Sequence, residues 1–262
     1  MTMKTLIFCG GQGTRIRGVM DNIPKPMLPI GDRPVLWHIM SIYAAYGYKD
    51  FVLCLGQLSW QIKEYFLNYR VMTEDFKINL SHPKEPAILN YGQDIDWNII
   101  FAETGEDVQT GARIKKISNY IKDDDLVMVT YGDGVSDIDI GRLVTFHKSH
   151  NKIGTITGVR PIGRFGEIGY DSKGLVNQFN EKPQVTEGRI NGGFMVFNTK
   201  KMLAYIPDGD NVIFEQDPMR RMASDGELMM YPHDGFWQPM DTFREYKLLN
   251  DIWHGGIVPW KK

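Results

Sequence analysis

The sequence predicts an α/β fold whose core is a doubly wound, mostly parallel sheet. Apolar runs of strand length alternate with segments of helical periodicity up to about residue 160, which is the pattern of successive βαβ units. A glycine-rich turn follows the first apolar run, and a Gly-Asp-Gly turn follows a later one. Since ligands of such sheets bind beyond the carboxyl ends of the strands, we expect the functional residues along one edge of the sheet.

Each element of this first part has its own signal. Apolar runs indicate strands, and apolar residues three and four apart indicate helices. Ser59 is expected to cap the second helix. Residues 70–96 are weakly hydrophobic and are expected to be irregular, as a flexible flap or an oligomer contact. In chain order we expect strand 4–9, helix 34–46, strand 51–55, helix 59–69, strand 97–102, helix 112–121, strand 126–131, helix 140–149 and strand 154–159.

The pattern changes after residue 160. Short strands are expected at 167–170, 175–181 and 190–197, and helices at 212–224 and 241–252. The short strands indicate a smaller antiparallel part that shares the core of the first. We therefore expect one domain over residues 1–262, with a first part at 1–160 and a second part at 161–262.

Composition and charge exclude several classes of protein. A net charge of -2 argues against a nucleic-acid-binding or membrane-surface protein. No apolar stretch approaches the roughly 18 residues of a membrane span, and no signal peptide precedes the first strand, so a cytoplasmic location is expected. Cys9 and Cys54 lie in strand-like runs and are expected to be core residues. The six histidines have no metal-ligand spacing, and no Gly-x-Ser-x-Gly elbow supports a serine nucleophile.

The turn after the first strand has the features of a phosphate-binding site. In Gly10-Gly11-Gln12-Gly13-Thr14-Arg15 the glycines allow a ligand to approach the backbone, whose N–H groups can surround an anion. Arg15 and Lys25 add fixed positive charge, which suits a polyphosphate. The turn lacks the Lys-Ser/Thr pair of the Walker motif and the third glycine of the dinucleotide fingerprint. A nucleoside triphosphate is therefore the expected ligand, and an NAD-binding dehydrogenase is disfavoured.

Two carboxylates are the candidate metal ligands. Asp133 stands between two glycines directly after the strand 126–131, and Mg²⁺ is held by one or two protein carboxylates together with water and substrate phosphates. Asp241 precedes a helical segment, so it is a helix cap, a second metal ligand or both. Asp137 and Asp139 have the position of acids at the start of a helix.

Taken in order, these motifs resemble those of the sugar-1-phosphate nucleotidyltransferases. The resemblance runs over nearly the whole chain and is carried by the glycine turn with Pro24-Lys25-Pro26 and by the segments 34–40, 131–137, 163–166, 190–194, 235–242 and 259–261. It implies a Rossmann-like nucleotidyltransferase fold with a smaller antiparallel sugar-binding part. It also implies a Mg²⁺-dependent enzyme that joins CTP to a sugar 1-phosphate, first of all α-D-glucose 1-phosphate, giving a CDP-sugar and pyrophosphate.

The resemblance also implies roles for individual residues. Catalytic roles fall to Arg15, Lys25 and Asp133, and the metal ligands are Asp133 and Asp241. The nucleotide-binding residues are Leu6, Gly10, Gly11, Gly13, Thr14, Arg15, Lys25, Thr110, Arg113 and Gly132. The residues for the sugar phosphate are Arg164, Glu181, Lys182, Asn191 and Gly192. Since relatives of this family associate, a homo-oligomer is expected, with no nucleic-acid or membrane partner.

Several departures from the family pattern keep alternatives open. The sequence has Thr-Gly-Ala-Arg at 110–113 where the family has Thr-Gly-Gly-Arg, and Glu167 lies near the expected sugar pocket. The same fold with dTTP or UTP, or with another phosphorylated acceptor, is one alternative. A non-catalytic sugar-nucleotide-binding subunit is another, and it is disfavoured because every expected charged residue is present.

Overall fold

The computed structural model describes residues 3–11, 22–90, 92, 95–160, 167–170, 175–180 and 188–262. Strands and helices alternate through the first part, as expected. They are β1 (Thr5–Phe8), β2 (Pro29–Ile30), β3 (Arg33–Pro34), α1 (Val35–Ala44), β4 (Asp50–Leu55), α2 (Ser59–Leu67), α3 (Tyr69–Thr73), β5 (Phe76–Asn79), β6 (His82–Ile88), β7 (Asn98–Glu103), α4 (Thr110–Lys116), α5 (Ser118–Ile121), β8 (Leu126–Tyr131), β9 (Gly134–Ser136), α6 (Ile140–Lys148) and β10 (Gly154–Val159).

The second part has shorter strands and three helices within the residues that the structure describes. They are β11 (Glu167–Tyr170), β12 (Val176–Asn180), β13 (Ile190–Asn191), β14 (Met195–Asn198), α7 (Thr199–Tyr205), α8 (Asp217–Ser224), β15 (Leu228–His233), β16 (Trp237–Pro239) and α9 (Phe243–His254).

A central sheet organises the molecule and confirms the predicted α/β class. Its strand order is β15-β10-β14-β8-β1-β4-β7, with β13 beside the far end of β10. Strands β8, β1, β4 and β7 run parallel, whereas β14 is antiparallel to both of its neighbours. The carboxyl ends of β1 and β8 therefore meet at one edge, where the glycine turn and the Gly-Asp-Gly turn begin.

Alternation along the strands divides the core into two layers. Ile7 and Leu53 face a layer that also contains the apolar residues of α1 and α6. Leu6 and Val52 face the opposite layer, which contains the apolar residues of α4, α5, α7 and α8. All four side chains are fully buried, and each such burial stabilises the fold by about 1.5–3 kcal/mol. Because helices cover both faces of the sheet, successive residues of a strand are all buried, which explains the continuous apolar runs in the sequence.

The stretch 70–96 differs from its prediction. Instead of being irregular, it contains α3 and a hairpin of β5 and β6, which pair from Phe76 with Ile88 to Asn79 with His82. The apolar side chains of β5, Phe76 and Ile78, are exposed, and Leu80 at the turn is 84% exposed. These residues alternate with polar ones, which indicates a strand, whereas Pro83 and Pro86 argue against a strand in β6, and the prediction was wrong for this segment.

Three further expectations need correction. Ser59 does not cap α2, because Leu58 occupies the cap position with a φ of 56° and the Ser59 hydroxyl donates to Glu103 instead. The expected strand 190–197 is divided into β13 and β14 around Gly193, whose φ is +74°. Strands β11 and β12 were expected to share the core of the first part, but they pair with each other in a separate two-stranded sheet.

Both cysteines are buried free thiols, as expected for core residues. Burial raises the pKa of the Cys54 thiol to about 12, so it stays protonated at neutral pH. In the part of the chain that the structure describes, no helix has the length and apolar character needed to cross a membrane.

His147 gives the fold a predictable response to acid. Its side chain is 4% exposed and its Nδ1 lies 2.9 Å from Thr155 Oγ1. Burial lowers the pKa of His147 from 6.5 to about 4. Between pH 4 and pH 6.5 the unfolded chain therefore binds a proton at His147 that the folded protein does not bind. The corresponding stability is complete above pH 6.5 and is lost as the pH falls towards 4. We expect His147 to contribute about 2 kcal/mol less to the free energy of unfolding at pH 5 than at pH 8.

Urea denaturation of the wild type and of His147→Asn at the two pH values measures this contribution. The variant should lose less stability between pH 8 and pH 5 than the wild type does. His254→Asn is the matched control, since His254 is exposed at the end of α9. Equal pH dependence in wild type and His147→Asn would contradict the assignment.

Candidate active site

Two turns leave the sheet side by side at its carboxyl edge. Phe8 and Tyr131 are register partners at the ends of β1 and β8, and the Gly132 N–H donates to the Phe8 carbonyl at 3.0 Å. A Cβ at position 132 would lie 2.7 Å from that carbonyl oxygen, so this close approach requires glycine. Gly10 therefore begins the glycine turn directly beside the turn that carries Asp133.

A buried arginine lies behind the glycine turn. Arg113, on α4, is 1% exposed, and a Cβ at Gly10 would lie 2.3 Å from its Nη1. Nη1 donates to the carbonyl oxygens of Leu55 (2.7 Å) and Gly105 (2.9 Å) and to Thr104 Oγ1 (2.5 Å). The guanidinium is thus held by neutral oxygens at the ends of β4 and β7. Because none of these partners is a carboxylate, the positive charge of Arg113 is not neutralised by them and adds to the attraction of the glycine turn for an anion.

Lys25 joins the two candidate metal ligands. Its Nζ lies 2.5 Å from Asp133 Oδ2 and also forms an ion pair with Asp241 Oδ1. Burial alone would lower the pKa of Lys25, but the two carboxylates outweigh it and raise the pKa above its ordinary value. The lysine is therefore a cation held between two anions at the edge of the sheet.

Backbone pairing brings these two carboxylates together. Strands β9 and β16 are antiparallel, with Gly134 opposite Pro239, and the Met240 N–H donates to the Asp133 carbonyl at 2.8 Å. Thr242, rather than Asp241, caps α9, and it forms a capping box with Glu245. Asp241 lies one residue before the cap, which leaves its carboxylate free to meet Lys25. The helix-cap interpretation of Asp241 is thereby corrected, because Thr242 performs that role.

The arrangement fits a divalent cation of the magnesium type. Two carboxylates already converge on one positive charge, and Mg²⁺ takes one or two protein carboxylates with water and phosphate oxygens completing its shell. Among the described residues no group of three or more His, Cys, Asp or Glu could hold a metal ion. A metal at Asp133 and Asp241 would therefore complete its shell with water and with oxygens from a bound substrate.

Glu215 is a residue of this region that the sequence analysis missed. Its Oε2 accepts a hydrogen bond from Thr110 Oγ1 at 2.6 Å, and its Oε1 accepts one from the Tyr131 hydroxyl at 2.7 Å. Asn191 Nδ2 donates to the same Tyr131 oxygen at 3.1 Å. The carboxylate thus connects Thr110, predicted for the nucleotide, through Tyr131 with Asn191, predicted for the sugar phosphate. No local signal marks it, since a glutamate before a helix is usually a solvent-exposed residue.

The remaining predicted residues divide into described and undescribed ones. Leu6 is fully buried in the middle of β1, so its side chain packs in the core. The Gly192 carbonyl accepts a hydrogen bond from Trp237 Nε1 at 2.8 Å, which ties the Asn-Gly-Gly turn to β16. Gly11 follows Gly10 and is exposed. The predicted residues Gly13, Thr14, Arg15, Arg164, Glu181 and Lys182 lie outside the described residues.

A parallel sheet with a glycine turn beside two convergent carboxylates is suited to handling phosphorylated nucleotides. A family model described as nucleotidyl transferase matches residues 4–249, and the chain belongs to this family of enzymes. Within it, the chain is similar over its whole length to glucose-1-phosphate cytidylyltransferases. It is 41% identical over 259 residues to those of Salmonella typhi and Salmonella typhimurium (strain LT2), covering 99% of this chain and 99% of each relative.

A solved structure has the same fold. The crystal structure of HddC from Yersinia pseudotuberculosis superposes with a TM-score of 0.68 at 22% identity, covering 96% of this chain and 99% of that chain. Together with the family match over residues 4–249, this likeness confirms the predicted nucleotidyltransferase fold.

Proposed function

We propose that this chain transfers a cytidylyl group from CTP to α-D-glucose 1-phosphate, giving CDP-glucose and pyrophosphate. The observation that carries the proposal is the convergence of Asp133 and Asp241 on Lys25 beside the glycine turn. The choice of CTP and glucose 1-phosphate is supported by the 41% identity, over the full chain, to relatives that carry those substrates in their names.

The reaction requires one bond to form and one to break at the same phosphorus. A phosphate oxygen of the sugar phosphate attacks the α-phosphorus of CTP, and the bond between that phosphorus and the bridging oxygen to the β-phosphate breaks. Pyrophosphate carries the electron pair away, and no covalent enzyme intermediate is needed. The protein's contribution is then positioning and the neutralisation of charge.

Lys25 is the described residue best placed to neutralise charge. It lies at the carboxyl edge of the sheet with a side chain that is 17% exposed, so its ammonium is strongly shielded from water. With a triphosphate in the glycine turn, the ammonium is free to turn from the carboxylates to the phosphate oxygens. Arg15 is proposed to act beside it on the departing pyrophosphate.

Asp133 and Asp241 are proposed to hold Mg²⁺ once the lysine has turned. When bound, Mg²⁺ supplies charge neutralisation at the phosphate oxygens. Asp133 follows directly on Gly132 at the end of β8, and Asp241 is fixed through the pairing of β9 with β16. The two carboxylates therefore need no large movement of the backbone to meet a cation.

The sugar phosphate is proposed to bind on the side of Asn191 and Gly192, with Arg164, Glu181 and Lys182 as further contacts. The nucleotide is proposed to bind along Gly10, Gly11, Gly13 and Thr14, with Thr110 and Arg113 behind them. The division into a nucleotide part at 1–160 and a sugar-phosphate part at 161–262, and the association into a homo-oligomer, stay predictions.

Pyrophosphate release tests the proposal directly. The purified chain is incubated with Mg²⁺ and a panel of sugar 1-phosphates, each combined in turn with CTP, dTTP, UTP and ATP. Release with CTP and glucose 1-phosphate alone is the expected result. Release with CTP and a different sugar would keep the mechanism and change the acceptor. No release with any pair would refute the enzymatic proposal and favour a sugar-nucleotide-binding subunit.

A further inference from the structure

The hydrogen-bond network around Glu215 has one consistent direction. The Phe214 N–H donates to Thr110 Oγ1 at 2.9 Å, so the Thr110 hydroxyl hydrogen is available to Glu215. On the other side, Asn191 Nδ2 donates to the Tyr131 oxygen, so the Tyr131 hydroxyl hydrogen is directed to Glu215 as well. An ionised carboxylate accepts hydrogen bonds and donates none. Glu215 is therefore the acceptor on which both branches end.

Tyr131 is a reliable donor in this network. Burial, and then the neighbouring Glu215 carboxylate, raise the pKa of its hydroxyl well above the ordinary value. The hydroxyl keeps its proton throughout the neutral range, so the direction of the Tyr131–Glu215 hydrogen bond does not change with pH near 7.

The network fixes the amide of Asn191. Its Nδ2 is bound to Tyr131, and its Oδ1 accepts the Gly193 N–H at 2.9 Å. These two contacts define which end of the amide is nitrogen and which is oxygen. Asn191 is exposed, so one remaining N–H and one remaining oxygen lone pair are available to a ligand. A sugar hydroxyl, which both donates and accepts, matches such a pair.

We propose that Glu215 is a positioning residue which, through Tyr131, holds the Asn191 amide in the orientation that binds the sugar phosphate. This inference rests on the proposed function, because it assigns Asn191 to the sugar side of that reaction. Its Thr110 branch has a separate consequence, since it ties the first turn of α4, and hence Arg113, to the same carboxylate.

The KM for glucose 1-phosphate, measured by pyrophosphate release at saturating CTP, tests this role. Glu215→Met removes both acceptor oxygens. The loss of the hydrogen bond from Tyr131 should raise that KM about 10-fold, since one such bond corresponds to about 1.4 kcal/mol. Glu215→Gln should restore most of the affinity, because its amide oxygen can still accept the hydrogen bond from Tyr131. Tyr131→Phe, which keeps the ring, should raise the KM as Glu215→Met does.

A double variant separates positioning from a general loss of structure. If Glu215 acts through Tyr131, then adding Glu215→Met to Tyr131→Phe should change the KM less than twofold further. Glu227→Met is the matched control, since Glu227 is also partly buried but accepts from the Ile153 N–H away from the site. Melting temperatures of all variants report on the fold.

Three results would overturn the proposal. They are an unchanged KM for glucose 1-phosphate in Glu215→Met, full multiplication of the two effects in the double variant, and an equal rise in the KM for CTP in Tyr131→Phe, which leaves the Thr110 branch intact. Calorimetric binding of glucose 1-phosphate to wild type and variants provides the same comparison without turnover. A wild type that binds glucose 1-phosphate but releases no pyrophosphate would refute the proposed function, while the ratio of dissociation constants would still decide the role of Glu215.

Discussion

Replacing Asp133 by asparagine should lower turnover at least ~100-fold, a loss comparable to removing one group that stabilises developing charge. Asparagine keeps the size of the side chain but removes its negative charge, so both the partner of Lys25 and the proposed cation ligand are lost. The fold should survive, because the backbone carbonyl of residue 133, which accepts the Met240 N–H, is unchanged. Initial rates of pyrophosphate release at saturating CTP and glucose 1-phosphate measure the effect.

Asp139→Asn is the matched control for this substitution. Asp139 lies six residues further on and caps α6 through Arg142 N at 2.8 Å, a role that asparagine performs equally well. Its turnover and melting temperature should equal those of the wild type. An Asp133→Asn enzyme with turnover within tenfold of the wild type would remove Asp133 from the catalytic machinery.

Lys25→Met is expected to have an effect of similar size. Methionine approximates the length of the lysine stem but has no charge, so Asp133 and Asp241 lose the cation between them. We expect turnover to fall at least ~100-fold, because charge on the departing pyrophosphate is no longer neutralised. Lys25→Arg should recover part of the activity, since it keeps a positive charge for the departing pyrophosphate but replaces the compact ammonium with a larger planar group.

The control for Lys25 is Lys49→Met. Lys49 also pairs with an aspartate, Asp96 at 2.8 Å, but both side chains are exposed and lie away from the carboxyl edge of the sheet. Exposed ion pairs of this kind contribute at most about 1 kcal/mol, so neither activity nor stability should change appreciably. If Lys25→Met and Lys49→Met gave equal turnover, Lys25 would have no catalytic role.

Local signals made part of the site predictable. Asp133 is marked by its two glycines after a buried strand, and Lys25 by the prolines on either side. The parallel strands are marked by continuous apolar runs, because helices cover both faces of the sheet. In each case the physical cause lies within a few residues of the effect, so a pattern in the sequence can report it.

Other parts of the site depend on distant contacts and leave no such pattern. Glu215 is identified only by its contacts in the folded chain. Thr110 and Tyr131, which are 105 and 84 residues away in the sequence, both donate hydrogen bonds to it. Arg113 was predicted to face the nucleotide, but its guanidinium donates to carbonyl oxygens at the ends of two strands, and its contact with a nucleotide stays a prediction. The hairpin of β5 and β6 was missed for a different reason, since its second strand contains Pro83 and Pro86, which are unusual inside a strand.

The pairing of the two ends of the chain has a consequence for how the protein is made. Lys25 meets Asp241 across 216 residues, Asn250 donates to the Pro29 carbonyl across 221, and Trp260 donates to His38 across 222. Contacts between such distant residues form slowly, because the loop between them must close first. A nascent chain that ends before residue 241 carries the glycine turn and Asp133 but lacks Asp241, so the triad of charges is incomplete. The proposed site is therefore completed only after residue 241 has been synthesised and has reached Lys25.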